Sequence, residues 1–83
     1  MTTTKQLEQN FRLSSKLAQY IASNPLAIKK IPVGASFVVF SSSNKELNKA
    51  NQRLVRSLES EGKRVVKAEK RDSSTQPWVF LTV

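Results

Sequence analysis

Cysteine and histidine are both absent from this 83-residue chain. Without cysteine there are no disulfides, no iron–sulfur clusters and no thiolate-bound zinc. Without histidine the commonest metal ligand and the commonest general base are missing, so a triad-type hydrolase is excluded. Acids are scarce as well. The six are Glu8, Glu46, Glu59, Glu61, Glu69 and Asp72, set against 14 Lys and Arg. No stretch approaches the ~20 consecutive apolar residues of a membrane span. The segment Met1–Lys5 is polar and has no apolar core of a signal peptide. The expectation is a cytoplasmic protein that carries no cofactor or metal and is not an enzyme.

What is present fits one domain. Hydrophobic residues make up 39% of the chain, enough for a single core. A chain of this length buries only about 60% of the surface that its unfolded form exposes. A deep polar pocket would compete with that core for the same apolar residues. The net charge is +8 and the pI about 10.3. An excess of this size suits an anionic partner: DNA or RNA, a membrane surface or an acidic protein.

Hydrophobic periodicity sets the elements. Leu7, Phe11, Leu13, Leu17, Ala18, Tyr20 and Ile21 recur at helical spacing and predict a first helix over Lys5–Ser23 with a broad apolar face. Thr3 and Gln6 form a weak capping box. Asn24-Pro25 ends the helix, because proline pushes its predecessor out of the α region. Pro25–Gly34 is a connection whose start makes one more helical turn. Leu26, Ile28 and Ile31 within it are expected to cap one end of the core.

Ala35–Phe40 is the first strand. Its run Phe37-Val38-Val39-Phe40 is continuously apolar, as in a central strand or one covered on both faces. Ser43 followed by Glu46 reads as a Ser-x-x-Glu capping box for a second helix reaching Glu61. Leu47, Ala50, Leu54, Val55 and Leu58 form its apolar stripe, and Gly62 is the expected left-handed cap. Val65–Glu69 is a second strand that reads as an edge, Lys70–Gln76 a polar loop, and Trp78–Val83 a third strand.

The sum is an α/β fold: a small two-layer α-β-α-β-β domain with a three-stranded mixed sheet. The central β-α-β unit makes the first two strands parallel. The most apolar strand belongs in the centre, which gives the order second, first, third; the order first, second, third is the alternative.

Three places can carry chemistry. On the outer face of the second helix, Lys45, Lys49, Arg53 and Arg56 share one side, and Lys63 and Arg64 extend it past the helix end. Such a stripe can track phosphates and release condensed counterions; the plain alternative is a solvated face. Lys67, Lys70 and Arg71 sit near Ser73, Ser74, Thr75 and Gln76 of the last loop, which is suited to act as a basic arm or simply as a polar connection. Ser41-Ser42-Ser43-Asn44 lies where open α/β sheets place anions, but it has no glycine, and capping accounts for it. Asn10, Ser14 and Asn51 project toward apolar sides, where a buried amide needs partners; the backbone of the neighbouring connecting loop is the expected one for Asn51 and Asn10, as structural anchors. Trp78 either stacks on a base or is buried, with burial favoured. Binding through a protein partner or a homodimer is the alternative to nucleic acid. Its surface would be an edge strand such as Val65–Glu69 or the apolar face of the first helix.

Pro25, Ile31-Pro32-x-Gly34-Ala35, Val38-Val39-Phe40, Glu46-Leu47, Asn51, Gly62 and Val65-Val66 together resemble a family of short prokaryotic proteins known only as a domain of unknown function. The likeness covers most of the chain. It departs at Ser41–Lys45, where the family pattern suggests a more acidic segment. It implies no activity and transfers no site. The element order is also similar to that of small basic chromatin and RNA-binding proteins of the Alba type, less their first strand, although no glycine-rich signature of that group appears. That likeness concerns architecture, which does not fix function.

Overall fold

The structure, a computed structural model, describes residues 1–29 and 31–83. Lys30, within the predicted connection, lies outside the described residues.

Helix α1 spans Thr3–Ser23. Its cap is Thr2 rather than the predicted Thr3: the Thr2 hydroxyl accepts from the Lys5 N–H at 3.2 Å. A 3-10 turn follows at Pro25–Ile28, with proline where its missing N–H costs nothing. Strand β1 is Ser36–Ser41, helix α2 is Lys45–Ser60, β2 is Val65–Lys70 and β3 is Trp78–Thr82. Asn44 caps α2, its side-chain oxygen accepting from Leu47 N at 3.1 Å. The predicted Ser43–Glu46 box therefore does not form. Gly62 closes α2 at φ +77, a region that a Cβ disfavours.

The sheet order is β1-β2-β3, the first pair parallel and the second antiparallel. This corrects the favoured order. The less apolar β2 is central, and its Val65, Val66 and Ala68 are at most 1% exposed. The more apolar β1 lies at the margin. Its hydrophobic run has a different cause: it is covered on both faces. Val39 packs with Leu13 and Leu17 of α1, Leu47 of α2, Ala68 and Trp78. On the opposite face Val38 and Phe40 pack with Val65 and with Val55 and Leu58 of α2.

Several predicted core residues stay outside. Leu7 is 65% exposed and Phe11 74%, so only one flank of the broad α1 face is used. Leu26 is 78% exposed and caps nothing, while Ile28 and Ile31 are half-buried. Trp78 is buried at 4%, which removes it as a base-stacking platform.

Helix α2 lies along the free margin of β1 through side-chain amides. Ser36 N and Ser42 N bond to Arg64 O and Lys70 O of the β2 segment, so even-numbered residues of β1 turn inward and Phe37, Val39 and Ser41 turn to the margin. Asn48 binds both groups of Ser41, accepting from its N–H at 2.8 Å and donating to its carbonyl at 2.6 Å. Asn51 donates to Val39 O at 2.8 Å. Asn51 is fully buried and its amide is fully used: the oxygen accepts from Gln6 and Asn10, both at 3.1 Å, and the nitrogen also donates to Asn10 Oδ1 at 2.7 Å. Asn44 adds a bond to Gln9 at 3.2 Å. The anchoring role predicted for Asn10 and Asn51 is met, with a strand margin and each other as partners rather than a loop.

Candidate nucleic-acid interface

Leu47, Asn51 and Val55 form the inward line of α2. At ~100° per residue, Lys45, Lys49, Arg53 and Arg56 then fall within about 80° on the opposite side, over ~16 Å of helix. All four are exposed. Among the described residues none of them takes part in an ion pair.

Their acidic neighbour Glu46 is engaged elsewhere. It receives the Met1 amine at 2.9 Å. That hydrogen bond, the amine's charge and the charge of Lys5 hold the Glu46 carboxyl below its ordinary value, against a small opposing effect of burial. The stripe thus keeps its positive character beside Glu46.

The other predicted residues separate into two places. Lys63 and Arg64 are exposed just beyond Gly62, where Lys63 N bonds to Leu58 O at 3.1 Å. They continue the stripe at the C-terminal end of α2. Lys70 and Arg71 lie roughly 20 Å away along β2. The Lys70 carbonyl accepts from Ser42 N, which places it beside the turn leading into α2. Lys70 is half-buried and its amine donates to Arg71 O at 3.0 Å, while Arg71 pairs with Glu69 at 3.1 Å. The loop is tied down as well: Arg71 N bonds to Pro77 O, and Ser73 Oγ accepts from Gln76 N. A free basic arm is not what this geometry describes.

Two further groups of cations lie off the stripe. Lys67 sits with its amine 5.3 Å from the centre of the Phe40 ring, a cation–π contact on the sheet face that carries Val38. No local pattern announces it, because the pair spans two strands. Arg12 and Lys16 of α1 line a groove of about 200 Å³ with Ser41, Ser43 and Asn44. Arg12 is held by Glu8 at 2.7 Å, and the two serine hydroxyls bond to each other at 3.1 Å.

Among the described residues no group of three or more His, Cys, Asp or Glu could hold a metal ion, and no helix is long and apolar enough to cross a membrane. No curated protein and no solved structure shows a significant match to the chain. A family model does match, over residues 5–79, nearly the whole fold from the first turn of α1 into β3. On that span the chain belongs to the Family of unknown function (DUF5647).

Proposed function

We propose that this chain is a small, basic, non-enzymatic binding module that sets the α2 stripe against the phosphate backbone of DNA or RNA. One observation carries the reading: Lys45, Lys49, Arg53 and Arg56 share one outward face without ion pairs. The arrangement does not serve the helix itself. Lys45 and Lys49 stand near the N-terminal end of α2, where the helix dipole disfavours cations, and the last turn has no basic residue. Like charges four residues apart cost a further ~0.2–0.5 kcal/mol per pair. A polyanion laid along the stripe relieves both penalties. Lys63 and Arg64 extend the contact, and Lys70 and Arg71 flank its far end. Since Trp78 is buried, the contacts are to the backbone, with little reading of base identity.

Fluorescence anisotropy of labelled duplex DNA and duplex RNA across a salt series tests this. Four phosphate contacts give a log–log salt slope of about −3.6. Arg56→Glu should weaken binding about tenfold and flatten the slope by ~1–2. Lys29→Glu, which changes the net charge equally from an exposed site off the stripe, should weaken it less than about threefold by the long-range charge alone. Absence of binding at 20 mM salt, or equal losses from the two variants, rejects the stripe.

A further inference from the structure

Among the described residues the outer margin of β3 has no counterpart to the amides that close β1. Pro77 O accepts from Arg71 N and Val83 N donates to Val65 O, so the odd-numbered residues of this segment turn toward β2. Antiparallel alternation then turns the N–H and C=O of Trp78, Phe80 and Thr82 outward. The β3 strand itself, Trp78-Val79-Phe80-Leu81-Thr82, contains no charge, no proline and no glycine. Natural sheets normally protect such a margin with charge, proline or a covering element. Beside it runs a groove of about 370 Å³, lined by Tyr20, Ala27 and Ile31 on one side and Trp78, Phe80 and Thr82 on the other.

We infer that this margin pairs with the same margin of a second copy, giving a continuous six-stranded sheet about a two-fold axis at Phe80. The register follows from the geometry. An antiparallel pair centred on Phe80 sets Trp78 opposite the partner copy's Thr82 and Phe80 opposite Phe80. Every one of these residues turns its backbone outward, so each N–H meets a C=O with no shift of strand. Opposed side chains share a face, so the two Phe80 residues stand side by side across the axis, each ring turned back over its own sheet 6.2 Å from Phe37, and the two grooves run together along the joint.

Charge also selects a second copy joined here rather than elsewhere. Two molecules at +8 repel, and the charge-free strand is where they approach with least penalty. The α2 helices lie along β1, at the opposite margin. Five strand spacings then separate the two β1 strands by ~24 Å, well beyond a Debye length of ~8–10 Å. Both stripes stay open. The dimer does not depend on nucleic acid and stands or falls separately from the proposed function.

Sedimentation velocity on the full chain at 50 µM without nucleic acid, together with amide hydrogen exchange, decides the matter. The expected mass is twice 9.3 kDa. The amides of Trp78, Phe80 and Thr82 should exchange as slowly as those of Val79 and Leu81, and faster on dilution. Thr82→Pro removes one outward donor and leaves the ladder to β2 intact, because Thr82 opposes Val66 without bonding to it. The variant should be monomeric with an unchanged circular dichroism spectrum. A wild-type monomer at 200 µM overturns the inference. So does a dimer whose Trp78, Phe80 and Thr82 amides exchange rapidly, which would place the contact at Leu7 and Phe11 of α1 instead. Should Thr82→Pro fail to fold, the alternating exchange pattern of the wild type still gives the answer.

Discussion

The two margins of the sheet solve the same problem in opposite ways. Each presents unpaired backbone groups, which are costly when buried and adhesive when exposed. At β1 the answer lies within the chain: Asn48 and Asn51 of α2 take up Ser41 and Val39. At β3 the outward groups of Trp78, Phe80 and Thr82 face a groove. Both margin strands carry four apolar residues and are more apolar than the central β2, and the strand at the open margin carries Leu81 at 47% exposure. The difference shows that apolarity alone does not decide where a strand sits. What decides it is which neighbour can satisfy the backbone at the strand's side.

The sharpest way to break this contrast is at Asn51. Asn51→Leu keeps the volume and removes every bond of the amide. It strands Val39 O, Gln6 and Asn10, in part buried. A loss of about 3 kcal/mol is expected, since orphaned buried groups cost ~1–3 kcal/mol each and the half-buried ones regain water. Urea unfolding at equilibrium measures it. A loss under 1 kcal/mol would mean that the amide is not what fastens α2 to the sheet. Asn48→Ala comes next. It opens both groups of Ser41 at a half-buried site, where water substitutes in part. About 1–2 kcal/mol should be lost, and the Ser41 amide should exchange faster while the amides of β3 do not change. An equal response at the two margins would show that they are not independent.

Gly62→Ala tests how α2 is led back to β2. A Cβ at Gly62 meets no atom within 4 Å, so only the backbone conformation at φ +77 opposes it. About 1 kcal/mol is expected, again by urea unfolding. A neutral outcome would mean that the turn shifts and that the path along β1 is not fixed by its exit.

The sequence declared its elements well and their neighbours badly. Periods of 3.6 and 2 are local, and they located α1, α2 and the three strands to within a few residues. They also located the Lys45–Arg56 stripe, since a face opposite an apolar line follows from spacing alone. Strand order is not local. The run Phe37–Phe40 suggests a centre because central strands are usually the ones covered on both faces. Here α1 and Leu47 of α2 cover one face, and Val55 and Leu58 of α2 cover the other, at the margin. Asn48 gave no signal, because an amide on a helix is indistinguishable from a solvated residue until its strand is known. Asn51 was legible because it interrupts the apolar line. The choice between Ser43 and Asn44 as cap turned on one residue of register between two good capping side chains. The choice between a basic arm and a polar connection for Lys70–Gln76 was not legible, because Arg71's partner Glu69 lies two residues back, on a strand.

The smallest expected effect concerns the clasp that lays the start of α1 over α2, on the closed side of the molecule. The Met1 amine reaches Glu46 at 2.9 Å. The bond from the amine, its charge and the charge of Lys5 lower the Glu46 pKa below 4.5 in the folded chain. A carboxyl whose pKa is depressed by folding binds its proton more readily when unfolded. Its contribution to stability is therefore complete above the ordinary pKa and fades as pH falls through the folded one. Glu46 is exposed, so solvent screens the effect and the contribution is small. Titration of the Glu46 side-chain carboxyl carbon by NMR should give a midpoint below 4.5. Acetylation of the Met1 amine should return it to the ordinary value, because the effect of burial then opposes the pull of Lys5. Glu46→Gln should flatten the acid limb of the stability profile by this share and leave the neutral limb nearly unchanged. A Glu46 midpoint that ignores acetylation would detach the amine from α2 and leave the amides of Gln6, Asn10 and Asn51 as the fastening at this margin.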